Sequence, residues 1–186
     1  MSGPTGLQPG ASAGGAAIDA ALYNPASHFQ TVDMTVVTNV AWSVSNQALL
    51  SRLDVLVAPM VIAKLYWRCV FAGSGNYDIG LYSASGLVLT RIYNLGSTAA
   101  PEGGIITITL GTPITLQPGV VYYAAIVCSS TAQQVYSVSG GASDLGVPGY
   151  RAVTADTSFP LPASMTLGSG GVLSTGRVPW IAGGPT

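Results

Sequence analysis

Side chains that commonly perform catalysis are scarce in this chain of 186 residues. It contains one histidine, His28, one glutamate, Glu102, and one lysine, Lys64. General acid–base and nucleophilic catalysis usually need several such groups within reach of each other. His28 follows a low-complexity segment and precedes Phe29, and Glu102 lies in a glycine-rich loop. These positions favour a packing or surface histidine and a solvated charge, so we predict that the protein is not an enzyme.

The aspartates do not form a pattern typical of a metal or glycosidase site. A calcium-binding loop has acidic residues at alternate positions, and a pair of glycosidase carboxylates would here need distant residues to fold together. The sequence also has no P-loop, dinucleotide-binding or nucleophile-elbow motif. We therefore expect neither a metal nor another cofactor. The aspartates are Asp19, Asp33, Asp54, Asp78, Asp144 and Asp156.

Sugar recognition is a second chemistry to consider, because tyrosine rings can stack on sugars beside polar groups. Strand alternation predicts that three tyrosines face outward, with Asp78 and an arginine near them. The alternative is that tyrosines on this face pack under loops or against a neighbouring subunit, and the low charge of the chain favours that alternative. The candidate surface contacts are Tyr66, Tyr82, Arg91 and Tyr93.

Low charge is the unusual feature of the composition. Only 7% of the residues are Asp, Glu, Lys or Arg and the net charge is −1, whereas about 25% charged residues is ordinary. So few charges protect poorly against self-association. We expect much of the surface to be covered by partners or by copies of the chain, although a neutral, soluble Gly/Ser/Thr-rich surface is an alternative. The few scattered cations argue against nucleic-acid binding.

The sequence gives no indication of a membrane span or a secretion signal. The most apolar stretch, residues 55–71, is broken by Pro59, Lys64 and Arg68, so it falls short of the ~18 uninterrupted apolar residues of a spanning helix. The first residues contain no basic region and no apolar signal core. We therefore expect the protein to stay in the cell that makes it until that cell lyses.

The two cysteines do not define a disulfide framework. Cys69 and Cys128 each lie in an apolar run typical of a strand, which predicts two buried, small hydrophobic side chains. A bridge between them is an alternative if their strands are neighbours, although a reducing cytosol disfavours it.

The chain divides into a short arm and a domain. Residues 1–28 have no hydrophobic periodicity and predict a disordered or extended segment, either a floppy terminus or an arm that orders against a neighbouring subunit. From Phe29 onward, runs of Val, Ile, Thr and Tyr alternate with turn residues at intervals of about ten, which is typical of a sandwich or barrel. For residues 29–186 we predict an antiparallel, jelly-roll-like β-sandwich.

Two runs predict strands of the core. In residues 61–71 the odd-numbered positions are apolar and share one face. Residues 121–128 are apolar on both faces and predict a central, covered strand, which follows a type II turn at Pro118 and Gly119. The side chains expected to point inward from the first run and the next strand are Val61, Ala63, Leu65, Trp67, Cys69, Phe71, Tyr77, Ile79 and Leu81.

The order of several motifs along the chain suggests a family. They lie at residues 23–27 with 63–67, 75–86, 115–123, and 159–164 with 177–180. Together they resemble a sandwich module of bacteriophage tail-fibre, adhesion and virion-surface proteins, in which a strand ending in Gly-Leu-Tyr and a Pro-Gly hairpin leading to two tyrosines recur. The resemblance covers about residues 23–182, and its motifs are structural. It implies a place on a phage particle.

One departure from the family refines this expectation. Long tail fibres attach such modules to extended shafts, whereas this chain has only a short arm. We therefore expect a structural accessory protein on the exterior of a tailed-phage virion, a capsid decoration or head-fibre subunit. It would be made in the host cytoplasm, bind a major capsid or tail protein and form a homo-oligomer such as a trimer. The alternative is a tail adhesion module that recognises a host surface glycan.

Overall fold

A computed structural model of the protein describes residues 29–31, 38–41, 45–53, 56–69, 74–101, 103–139, 152–156, 159–167 and 177–185. These residues contain strands and no helix, and every strand pair is antiparallel, which confirms the predicted all-β, antiparallel class. The predicted arm, residues 1–28, lies outside the described residues. The strands are β1 (Phe29–Gln30), β2 (Thr38–Ala41), β3 (Gln47–Arg52), β4 (Met60–Cys69), β5 (Asn76–Ser85), β6 (Val88–Asn94), β7 (Thr98–Ala99), β8 (Gly104–Leu116), β9 (Val121–Cys128), β10 (Gln134–Ser139), β11 (Ala152–Asp156), β12 (Ser164–Thr166), β13 (Arg177–Pro179) and β14 (Ile181–Gly184).

These strands form two sheets of seven strands each. In the first sheet β1, β14, β4, β10 and β13 are neighbours in that order, while β2 pairs with β10 and β8 pairs with β4. In the second sheet the order is β11, β3, β9, β5, β6 and β12, with β7 beside β5. Many neighbouring strands are far apart in sequence, so long-range pairing determines this architecture.

Side chains of both sheets meet in one apolar core. The ring of Trp67 from β4 lies 4.7 Å, centroid to centroid, from the ring of Tyr77 from β5, and the rings are tilted by 48°, within the range that aromatic pairs prefer. Ile79 and Leu81 of β5 are buried in the same cluster. The inward orientation predicted for these side chains is confirmed, whereas the jelly-roll-like arrangement stays a prediction.

β9 is covered on both faces, as the sequence predicts. It lies between β3 and β5. Tyr122 and Ile126 enter the core between the sheets, whereas Tyr123 and Val127 belong to a second apolar cluster on the outer face of the second sheet. The turn before it is also confirmed, because Gly119 has a φ of +78°, the value that the third position of a type II turn requires.

An irregularity in the pairing of β4 with β8 overturns the predicted burial of Val61. Ile62 is opposite Ile114 and Lys64 is opposite Thr109, so residues 110–113 of β8 lie opposite Ala63 alone. The alternation of side chains in β4 changes phase at this point. Met60 and Ile62 are buried before the shift, and Leu65 is buried after it, whereas Val61 is 44% exposed. The prediction that every odd-numbered position shares the inner face is therefore wrong for Val61.

The two cysteines are buried thiols that form no disulfide. Cys69 lies in β4 of the first sheet and Cys128 in β9 of the second, and both belong to the shared core. Burial raises the pKa of the Cys128 thiol, and the nearby Cys69 adds to the rise. The prediction of two buried small side chains is confirmed, and no disulfide joins them.

A separate segment covers the outer face of the second sheet. We call residues 159–167 the cover segment. Its side chains Leu161 and Met165 are buried against Leu50, Leu89 and other residues of the second sheet, and β12, within this segment, pairs with β6. The second sheet is therefore packed on both faces.

Candidate interaction surfaces

The four predicted surface contacts do not lie on one surface. Tyr66 alternates in β4 with side chains that enter the core, so it lies on the outer face of the first sheet. Tyr82 and Arg91 lie on the outer face of the second sheet, and Tyr93 packs against the core between the sheets. The structure therefore divides these residues among three environments.

A bulge between β5 and β6 separates Arg91 from Tyr93. Leu81 is opposite Tyr93 and Tyr82 is opposite Arg91, so Ile92 is an extra residue in β6. Without the bulge, residues two apart would share a face. With it, Tyr93 turns to the same side as Leu81, and the prediction that Arg91 and Tyr93 face outward together is wrong. Burial raises the pKa of Tyr93, and the charge of Asp78 adds to the rise.

Tyr82 lies on the predicted face but is fully enclosed. The cover segment packs over it, and its hydroxyl donates a hydrogen bond to the carbonyl oxygen of Pro162 at 2.7 Å. Burial raises the pKa of this phenol, an effect that Arg91 opposes and Asp78 reinforces. The prediction of an outward-facing contact is wrong for Tyr82, and the alternative that such tyrosines pack under a loop is confirmed here.

Asp78 is a buried carboxylate that fastens two loops to β5. Its Oδ1 accepts a hydrogen bond from the backbone N–H of Gly96 at 2.8 Å. Its Oδ2 accepts one from the backbone N–H of Leu161 at 3.0 Å and one from the side-chain amide of Asn94 at 3.2 Å. Three donors compensate the loss of hydration that burial imposes on a carboxylate. Asp78 thus lies on the outer face, as expected, but its carboxylate binds backbone and side-chain groups of its own domain.

Arg91 binds the cover segment from the neighbouring strand. Its Nη1 donates to the carbonyl oxygen of Leu161, and its backbone N–H donates to the carbonyl oxygen of Ala163 at 2.9 Å. At the other end of the segment, the N–H of Leu167 donates to the carbonyl oxygen of Leu87 at 2.8 Å. The segment is therefore held along its length by the sheet that it covers.

Gly80 makes room for the cover segment. A Cβ at this position would lie 2.6 Å from the carbonyl oxygen of Tyr93 and 3.0 Å from Cδ1 of Leu161. Since the first distance is too short for any side chain, a glycine lets the backbone of β6 and the side chain of Leu161 approach β5 closely. The sequence predicted neither this packing role nor the contribution of Leu161.

Tyr66 is the candidate that keeps part of its surface in solvent. It lies in β4 between Lys64 and Arg68, opposite Ala182 of β14 and Thr107 of β8. Partial burial raises the pKa of its phenol. A partly exposed tyrosine with a cation on either side of it in the same strand is the arrangement closest to the predicted surface contact.

The described residues contain no group of three or more His, Cys, Asp or Glu side chains that could hold a metal ion. Nor does any helix in that part of the chain have the length and apolar character needed to cross a membrane. His28 and Glu102 lie outside the described residues. The expectation that this protein is not an enzyme therefore stays a prediction.

β8 presents the longest uncovered strand edge in the described part of the chain. It spans Gly104–Leu116 and pairs with β4 along one side, while none of the described strands pairs with its other side, which we call the β8 edge. Thr107 and Thr109 are exposed, whereas Ile108 and Leu110 are buried in the core. The strands that end the described sheets elsewhere, β1, β11, β12 and β13, are two to five residues long.

Comparison with known proteins identifies no relative. No protein-family model matches the chain, and no curated protein matches it. The likeness to phage virion-surface modules is therefore a hypothesis that depends on the order of the motifs alone.

Proposed function

We propose that this protein is a structural accessory subunit on the exterior of a tailed-bacteriophage virion, a capsid decoration or head-fibre subunit. It is made in the host cytoplasm and acts by binding other virion proteins, such as the major capsid or a tail protein. It performs no reaction and uses no cofactor. Its contribution is the contact surface of a rigid β domain.

The use of the polar side chains supports this proposal. Asp78, Tyr82 and Arg91 all form hydrogen bonds to the cover segment or its flanking loop. In a chain with only 7% charged residues, this leaves few charged side chains for a specific small-molecule site. A neutral surface is instead suited to large contacts with other proteins, because charged residues are depleted in the centres of protein interfaces.

The alternative, a tail adhesion module that binds a host glycan, has less support. Tyr82 is enclosed, and Tyr93 is partly buried against the core between the sheets rather than on an outer face. Tyr66 alone of the three predicted tyrosines keeps a half-exposed ring on an outer face.

Reconstitution on particles tests the proposal. Particles are prepared from a phage whose copy of the gene is deleted, the purified full chain is added back, and bound protein is measured after density-gradient sedimentation. We expect saturable binding at a fixed number of copies per particle, and antibody labelling of intact particles in electron microscopy. Protein that stays soluble at every concentration, or labelling that requires opened particles, would contradict the proposal.

A glycan array separates the alternative from the proposal. Wild-type protein, Tyr66→Ala and the exposed control Thr90→Ala are applied at the same concentration. The proposal expects no saturable binding by any of the three. Saturable binding that Tyr66→Ala abolishes and Thr90→Ala retains would favour the adhesion module.

A further inference from the structure

We propose that the β8 edge is a homodimer contact, in which the Gly104–Leu110 half of β8 pairs antiparallel with the same half of a second copy. This inference goes beyond a location on a particle, since it concerns the purified protein by itself. It also identifies which surface of the domain associates.

The β8 edge is already held in an extended conformation by the rest of the domain. From the pair Lys64–Thr109 to the pair Cys69–Gly104, β8 follows β4 without a break in register. On one face of the strand, Ile108 and Leu110 are buried in the core between the sheets. A strand already held straight by a neighbour and a core loses little conformational freedom when another strand pairs with it.

This half of β8 lacks the features that usually protect an edge strand against pairing with another chain. Natural edge strands avoid pairing by being short, by carrying charges, or by containing prolines and bulges. β8 has no charged residue, and its Gly111, Pro113 and break in register all lie beyond Thr109. None of the described strands pairs with the backbone N–H and C=O groups of residues 104–110 that point away from β4, and we propose that a partner strand does.

The partner strand that we propose is β8 of a second copy, because residues 104–110 are complementary to the same residues in antiparallel orientation. In an antiparallel register centred on Thr107, Thr107 lies opposite the partner's Thr107, and Ile106 lies opposite the partner's Ile108. Even-numbered residues then share the core face and odd-numbered residues the outer face in both copies. Thr–Thr pairs and pairs of β-branched side chains are favourable across antiparallel strands.

The low net charge of the chain also favours a second copy as the partner. With a net charge of −1, two copies repel each other very little, and an uncharged edge offers no attraction to a strongly charged partner. Pairing of identical edges is isologous and produces a two-fold dimer. The homo-oligomer that the sequence led us to expect is therefore a two-fold dimer in this proposal.

A lysine at the two-fold centre tests the contact. Thr107→Lys would place two like charges directly opposite each other, whereas Thr115→Lys introduces the same change at an exposed position of β8 outside the proposed pairing. Sedimentation equilibrium of the wild-type chain should give a mass twice that of the 18.8 kDa monomer. We expect Thr107→Lys to raise the dimer Kd by about tenfold or more, and Thr115→Lys to leave it unchanged.

Covalent trapping provides a second measurement. Directly opposite Cβ atoms in an antiparallel pair lie about 4.5–5.5 Å apart, close to the range that a disulfide spans. Mild oxidation of Thr107→Cys should produce a covalent dimer, while Thr115→Cys should not. The native thiols are buried and should not interfere. Circular dichroism and thermal unfolding show whether each variant is folded.

Some outcomes would overturn the inference. These are a wild-type protein that is monomeric at the highest attainable concentration, a Thr107→Lys variant that dimerises like wild type, or equal cross-linking at both cysteine positions. Because no particle is present, failure here is distinct from failure of particle binding. A chain that loads onto particles but never dimerises rejects this inference alone.

Discussion

The outer face of the second sheet and the β8 edge of the first sheet differ in how they are completed. On the second sheet the cover segment closes the face, and Asp78, Arg91 and Tyr82 bond to its backbone. Along β8, by contrast, no described strand or charged side chain protects the backbone over residues 104–110.

This difference shows where a chain with few charges places them. Asp78 and Arg91 are two of the chain's thirteen charged residues, and both are used to fix a segment more than 60 residues away in sequence. Their hydrogen bonds make the covered face a permanent part of the domain. The uncharged edge is left for contacts that form between molecules.

The covered face is expected to depend most strongly on Asp78. Asp78→Ala should lower the free energy of unfolding by about 3 kcal/mol, because the buried N–H of Leu161 and the partly buried N–H of Gly96 lose their acceptor. Asp78→Asn keeps one oxygen acceptor and should cost less. Urea unfolding measures both changes. If Asp78→Ala cost under about 1 kcal/mol, the cover segment would not be held by this carboxylate.

Crowding at Gly80 should have a smaller effect. Gly80→Ala would push a methyl group against the Tyr93 carbonyl and Leu161, which should cost about 2 kcal/mol through overpacking. Gly111→Ala is the matched control, since nothing lies within 4 Å of its added Cβ, and it should change stability little. Equal effects of the two substitutions in thermal unfolding would show that the cover segment is not closely packed on β5.

Of these three positions, the hydroxyl of Tyr82 should contribute least to the free energy of unfolding. Tyr82→Phe removes the hydrogen bond to Pro162 and should cost about 1 kcal/mol near neutral pH. Tyr66→Phe, at the half-exposed tyrosine of the other sheet, serves as the control and should cost less. Chemical denaturation of both variants beside wild type gives the comparison.

The same tyrosine predicts a dependence on pH. Burial raises the pKa of Tyr82 above its ordinary value of 10.0, so its neutral form is favoured by folding. The stability that it contributes is complete below about pH 10 and is lost as the pH rises toward the folded-state pKa. Between about pH 9 and about pH 11, wild type should lose more stability than Tyr82→Phe. If the free energy of unfolding fell equally in wild type and Tyr82→Phe, groups other than Tyr82 would cause the loss of stability at high pH.

Local patterns predicted the strands and much of the core. The alternation around Trp67 and in residues 77–81, and the continuous apolar run of β9, each depend on neighbours along the chain, and those predictions are confirmed. Val61 and Tyr93 were assigned to the wrong faces because an irregularity in strand pairing shifts the alternation by one residue. The shift near Val61 is marked in the partner strand, by Gly111 and Pro113 of β8, whereas the bulge at Ile92 has no clear mark in β6.

The environment of the candidate residues could not be predicted in the same way. Asp78 and Tyr82 are on the expected face, but their burial depends on Leu161 and Pro162, about 80 residues later in the chain. The open side of β8 likewise depends on which strands are neighbours in space. Both features follow from long-range pairing, which a single sequence does not reveal.

The adjacency of β4 and β8 has a consequence for weak binding. In a dimer joined through β8, the two copies of Tyr66 would lie on one continuous face, separated by three strand spacings, or about 14 Å. Each ring has Lys64 and Arg68 beside it in the same strand. A partner that binds one such row only weakly would engage both rows together, and the second contact would then form at a high effective concentration. Dimerisation would in this way convert two weak contacts into one bivalent attachment.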